Sequence, residues 1–224
     1  MRTLLRKVHR NEQGVTGLET AIILIAFVVV ASVFAYTVLS AGIFSSQKGQ
    51  EAIYAGLEQA RSAITLKGSV IGYSGTVGSA ATLVKVKFTV EPAVGGEPLD
   101  LAPPYQLTAG ALAATTNSPV TSLTYMDQKQ FINGAAWTLT WIGKNDGDTL
   151  LEADEKAEIT LWLFNYNGTA YSLGTGDTDP WIDAAANVPG TYMDFTIQVV
   201  PPAGSVLTIP RGTPAKLDTV MDFH

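Results

Sequence analysis

The chain has 224 residues, room for one ordinary domain plus an extra element, and its net charge of -6 leaves a nucleic-acid partner without the clustered Lys and Arg it needs. Cysteine is absent, which excludes disulfides, thiolate metal sites and cysteine nucleophiles. Histidine occurs only as His9 and His224, so a Ser-His triad or a zinc-binding HExxH helix has no raw material, and an enzyme is not expected.

The charge is uneven along the chain. Residues 1–14 carry Arg2, Arg6, Lys7 and Arg10 against Glu12, a net +3, which leaves -9 on the rest. Residues 20–46 contain no charge, and 21–41 read AIILIAFVVVASVFAYTVLSA. As a helix this run is long enough to span a hydrocarbon core of about 30 Å. The basic flank predicts an N-terminus on the cytoplasmic side and an exported acidic body. The run is too long for the apolar core of an ordinary secretory signal. It continues into a stretch where Ile53, Leu57, Ala60 and Ile64 recur at helical spacing. A helix over about 18–66 would be roughly 75 Å long. Its first half is apolar all round and must be buried in lipid or among other helices. Ala35, Gly42, Gly49, Gly56 and Ala63 fall seven residues apart. Such a seam suits close, gently supercoiled contact between helices, while glycines so placed also loosen a helix.

The segment Gln13-Gly14-Val15-Thr16-Gly17-Leu18-Glu19, together with the continuation GIFSSQKGQEAIYAGLEQARSAI, resembles the N-terminal region of archaeal flagellins (archaellins) and the related type IV pilins. The resemblance covers about the first 67 residues. It implies that a prepilin peptidase cuts the membrane-held precursor between Gly14 and Val15, and that the helix stays on the mature protein and polymerises, alone or with paralogous archaellins. Leaders of that family usually carry a basic residue close before the glycine, whereas here Glu12 and Gln13 precede it and the nearest is Arg10. Glu19 becomes the fifth mature residue, which by resemblance neutralises the amino terminus of a neighbouring subunit. It also reads as a headgroup-level carboxylate favoured by the positive end of the helix dipole. The function implied is a structural subunit of the extracellular motility filament, the archaellum. An adhesive pilin would share the assembly chemistry, and the Gly14-Val15-Thr16-Gly17 pattern favours the flagellin side. A reading of another class is a membrane-anchored β-sandwich binding module that keeps its leader.

After Lys67 the composition shifts to Gly, Thr, Ser and Pro and the period shifts to two. The clearest strand is 82–91, with Val84, Val86, Phe88 and Val90 on one face and Lys85, Lys87 and Thr89 on the other. Further strands are predicted at 69–73, 121–126, 136–143, 156–166, 170–173, 192–200 and 205–209. Many short strands between Gly/Pro turns predict an antiparallel β-sandwich, and the resemblance implies an immunoglobulin-like one. The expected fold is therefore α+β, with a leader at 1–14, an assembly helix at 15–67 and a β-sandwich at 68–224.

Two surface features lie in that domain. Asn145, Asp146, Asp148 and Glu152 place closely spaced oxygens around Gly147, a pattern that suits Ca²⁺ or a similar divalent cation and equally a solvated Asx-rich hairpin turn. Some archaellins carry a metal in the corresponding loop. Asn167-Gly168-Thr169 is the only N-glycosylation sequon, and Asn-Gly also signals a type I′ hairpin. The family is commonly glycosylated. Alternation assigns most of Trp137, Trp141, Trp162 and Trp181 to the core or a sheet face and not to a sugar platform.

Overall fold

A computed structural model of the chain describes residues 2–61, 63–93, 98–176 and 179–223, with side chains in the helix described over 17–57. Two compact units emerge, Met1–Ala55 and Gly56–His224. Helix α1 runs over Arg2–Arg61. Nothing interrupts it, since the first proline of the chain is Pro92. The hydroxyls inside the apolar run are satisfied locally: Ser32 donates to the Val29 carbonyl and Thr37 to that of Phe34, each at 2.8 Å.

The helix ends earlier than its periodicity predicts. Strand β1 (Ile64–Val77) takes over the residues that were expected to close the helix, which moves the boundary between helix and sandwich from 67 to the 61–64 junction. Ile64 continues the i, i+4 stripe, but Ile64 and Leu66 also alternate with Thr65 and Lys67. The paired strand β2 (Ala80–Pro92) settles the contest, with Ile64 opposite Pro92 and Leu66 opposite Val90. Tertiary pairing outweighs a local period that suits both states.

The remaining strands among the described residues are β3 (Leu99–Asp100), β4 (Tyr105–Thr108), β5 (Ala111–Ala114), β6 (Ser122–Asp127), β7 (Phe131–Asn133), β8 (Trp137–Trp141) and β9 (Leu150–Leu151). After them come β10 (Ala157–Trp162), β11 (Asn165–Tyr166), β12 (Tyr171–Ser172), β13 (Asp194–Val200), β14 (Leu207–Gly212) and β15 (Val220–Phe223). A seven-stranded sheet has the order β11-β12-β1-β2-β10-β8, with β15 also beside β1, and a four-stranded sheet has the order β14-β13-β6-β7. Pairing is antiparallel except for one parallel bridge, Val77 to Tyr171. Val84, Val86, Phe88 and Val90 are buried, as the alternation predicts, in one cluster with Leu123, Tyr125, Ile197 and Ile209 of the other sheet. Phe195 links the layers, stacked on Tyr125 at 5.9 Å and edge-on to Phe223 at 5.4 Å. At the sandwich edge Arg211 Nε donates to the Phe223 carbonyl at 3.0 Å.

The expected strand 156–166 is broken. Leu161, Trp162, Leu163 and Phe164 are all buried, and four consecutive buried residues cannot keep a two-residue period, so the chain bends between β10 and β11.

Gly72 on β1 faces this core, where an added Cβ would press into the Phe223 ring and Leu83. Gly72→Ala is therefore expected to destabilise the sandwich by about 1–3 kcal/mol. Denaturant unfolding of the full chain, followed by the fluorescence of buried Trp137 and Trp162, measures it.

Candidate assembly surfaces and modification site

Every side chain from position 17 to 57 of α1 is exposed, including 19 large apolar ones, and this segment is apolar and long enough to cross a membrane. Added Cβ atoms at Gly17, Gly42, Gly49 and Gly56 would meet nothing within 4 Å. No packing among the described residues therefore demands these glycines, although each costs a helix about 1 kcal/mol relative to Ala. Ala63 lies beyond the helix end, where its carbonyl accepts from Ala93 N at 2.8 Å, so the seam comprises Ala35, Gly42, Gly49 and Gly56. Glu19 is exposed. Gly14 and Val15 fall within α1, and their side-chain surroundings lie outside the described residues.

The two sheets present different outer faces. Outward from the seven-stranded sheet stand Lys67, Lys85, Lys87, Glu91 and Glu158. Lys87 pairs with Glu158 at 2.6 Å and Lys67 with Glu91 at 2.9 Å. Lys85 Nζ sits 4.9 Å from the Tyr73 ring centre and 4.8 Å from that of Trp162. Burial there, and then the Lys87 charge, lowers its pKa. The four-stranded sheet is unlike this. Pro210, Thr196, Met126 and Phe131 stand in one register row across its outer face, and Thr208, Gln198, Thr124 and Asn133 in the next. Neither row carries a charge. Met126 is 42% and Phe131 64% exposed.

The acidic turn is a ladder of Asx hydrogen bonds. Asn145 Oδ1 accepts from Gly147 N at 2.7 Å, Asp146 Oδ1 from Asp148 N at 3.3 Å and Asp148 Oδ1 from Leu150 N at 2.8 Å. Glu152 N donates to buried Glu155 at 3.1 Å. Among the described residues no three His, Cys, Asp or Glu side chains converge as a ligand set.

The sequon lies on the expected hairpin, but Tyr166 pairs with Tyr171, which makes a four-residue loop and not a two-residue type I′ turn. Asn167 explains the extra length, because its Oδ1 accepts from Thr169 N at 3.0 Å and Ala170 N at 2.8 Å. Asn167 and Thr169 are exposed.

Sequence reasoning missed a cleft of about 470 Å³ beside the edge strand β7, lined by Phe131, Asn133, Asp179, Trp181, Asp183 and Asn187. The Trp181 indole N–H is buried without an acceptor among the described residues. Trp137 belongs to the core, and Trp162 is buried on the outer sheet face beside Lys85 and Tyr166, as alternation predicts. Nothing local in the sequence separates Trp181 from them, since the cleft forms only when the loop after β12 folds beside β7.

The family model described as archaeal-type flagellin matches residues 14–211. The chain is 35% identical over 216 residues to "Probable flagellin 1" of Archaeoglobus fulgidus, covering 95% of each. It is 31% identical to "Probable flagellin 1" of Aeropyrum pernix, covering 94% of this chain and 96% of that one. Among solved structures it is similar to the archaeal flagellum of Methanospirillum hungatei strain JF1, with 25% identity, a TM-score of 0.57 and coverage of 92% of this chain and 98% of that one.

Proposed function

Because this chain belongs to the archaeal-type flagellin family, we propose that α1 serves it twice, first as a membrane anchor and then, after removal of a leader, as the core of a helical polymer. The protein is a structural, self-assembling subunit of the extracellular archaellum filament and not an enzyme. The observation that carries the proposal is the bare helix. Leaving 19 large apolar side chains in water costs on the order of tens of kcal/mol, against a net stability of about 5–15 kcal/mol for a whole domain. Lipid and a bundle of like helices are the two surroundings that remove this cost.

The basic tip holds the N-terminus on the cytoplasmic side, and a prepilin peptidase cuts between Gly14 and Val15. The family match begins at Gly14, which supports this position. Glu19 then lies one turn from the new amino group, in reach of the amino terminus of a neighbour as it leaves the membrane. Mass spectrometry of sheared filaments is expected to find Val15 as the first residue, and replacing Gly14 with a bulky residue should leave a membrane-retained precursor. Peptides from residues 1–14 in assembled filaments would refute the cut. The same spectra test Asn167, where an added glycan mass is expected on the peptide that holds it.

Gly42, Gly49 and Gly56 form the seam along which neighbouring helices approach. Gly49→Leu should abolish or weaken filaments by inserting a side chain where a backbone passes, while Gly49→Ala should be tolerated because it raises helix propensity. Gly49→Leu filaments as resistant to heat and shear as the parent would leave the glycines without a packing role.

A divalent cation at the acidic turn is proposed as a rearranged state, in which Asp146 and Asp148 give up their backbone hydrogen bonds and, with Asn145 and Glu152, supply the oxygens. Ca²⁺ should then raise the melting temperature of the parent but not that of Asp146→Ala plus Asp148→Ala, since only a site in the folded state gains from ligand. Unchanged melting with Ca²⁺ or chelator leaves the turn as an Asx ladder.

A further inference from the structure

The helix is one self-associating surface of this chain, and the structure carries a second. We propose that the two uncharged register rows on the outer face of the four-stranded sheet pack against the β-domain of a second copy of this chain in the filament.

The face is defined by register. Pro210, Thr196, Met126 and Phe131 align across four strands, so neighbouring side chains lie within contact distance along the row. The adjacent row offers two hydroxyls and two carboxamides, groups that bond to a partner or to water without bringing a charge. A solvent-facing sheet in a chain of net charge -6 would be expected to carry acidic and basic residues, as the outer face of the seven-stranded sheet does. Instead the two central rows carry Met and Phe as their largest exposed side chains and no charge, with Asp194 only in the row beyond them, which is the composition of an interface core and not of a solvated face.

The occupant follows from charge and from the polymer. Two copies of an acidic domain repel, and like-charged bodies approach best through surfaces that carry no charge. In a filament every subunit has identical neighbours, and an open helical polymer is built from heterologous contacts, a patch on one copy meeting a different patch on the next. The cleft beside β7 continues the face past its Phe131 and Asn133 edge, but Asp179 and Asp183 line it, so it belongs to the rim and not to the neutral contact.

The chain has no cysteine, so each engineered thiol is the only one present. Phe131→Cys and Met126→Cys place it on the neutral face, and Thr140→Cys places it at an exposed position on the outer face of the other sheet. Labelling with a small maleimide is compared between intact filaments of this chain alone and the same subunits dissociated in detergent. The thiols of Phe131→Cys and Met126→Cys are expected to react about ten-fold more slowly in the filament, with that of Thr140→Cys changed less than about two-fold. Equal rates at the neutral face in both states overturn the proposal. Equal protection at all three positions also overturns it, because the filament then shields the domain without regard to face. Protection that arises only when another protein is present assigns the face to that protein and overturns it too. As a second measurement, Met126→Lys plus Phe131→Lys should yield few or fragile filaments while far-UV circular dichroism of the detergent-solubilised chain stays that of the parent. Filaments of parental heat stability from that variant would reject the contact.

Discussion

The protein is organised around apolar surface that its own chain does not bury. From position 17 to 57 the helix exposes every side chain, and water is not a tolerable surrounding for it. Lipid and a helix bundle both are, yet lipid tails are as apolar as leucine, so the hydrophobic effect does not by itself draw the helix from one into the other. The exchange must be driven by close packing and by the few polar groups the helix carries. Ser32 and Thr37 exert little pull, since each already donates to a carbonyl one turn back. That leaves the glycines, which allow backbones to approach, and Glu19, whose carboxylate is costly at an apolar boundary until it meets a cation. On the function proposed for α1, the residues that look least suited to an apolar helix are the ones that would let it leave the membrane for a neighbour.

In the exported domain the same economy of charge is visible. Residues 20–46 hold no charge, and the acidic balance falls on the body. There the seven-stranded sheet neutralises its outer face locally, through Lys87 with Glu158 and Lys67 with Glu91. Both pairs are partly exposed, so they add little stability and serve mainly to keep that face wet and soluble. Lys85 is held differently, between two aromatic rings, where the ring faces offset part of the desolvation that lowers its pKa. The four-stranded sheet uses none of these devices.

Where one period dominates, the structure is readable from residues alone. The alternation of Val84, Val86, Phe88 and Val90 against lysines and threonine identifies β2, its inward face and, with its neighbours, the sandwich. The unbroken apolar run identifies α1. Where two periods coincide, reading fails: Ile64 satisfies both the helical stripe and the strand, and only its partner Pro92 decides. Short elements also escape. The β4–β5 hairpin turns at Ala109-Gly110, with φ of 52° and 86°, a positive-φ pair that the sequence conceals because alanine rarely adopts it. Strand β15 offers only Met221 and Phe223 as inward residues, too few to show a pattern. The acidic turn and the neutral face are hidden in the sequence for another reason. Oxygens that suit a cation also suit successive backbone N–H groups, and their commitment at Asn145, Asp146 and Asp148 is visible only in three dimensions. Likewise Met126 and Phe131 are unremarkable until register sets them side by side.

The helix and the neutral sheet face ask different things of a neighbour. Contacts between apolar helices are strong in sum but weakly directional, and a helix with a glycine seam that drifts by about 20° per heptad accepts a range of rotations. A face of carboxamides and hydroxyls beside a cleft is the reverse. Each hydrogen bond gains little over water, yet a misplaced one leaves a buried polar group unpaired, at a cost of about 1–3 kcal/mol. Cohesion of the polymer therefore belongs to the helices, and discrimination among the ways subunits could be turned relative to one another belongs to the sheet face. A chain that carried only the first would associate readily and without a preferred arrangement.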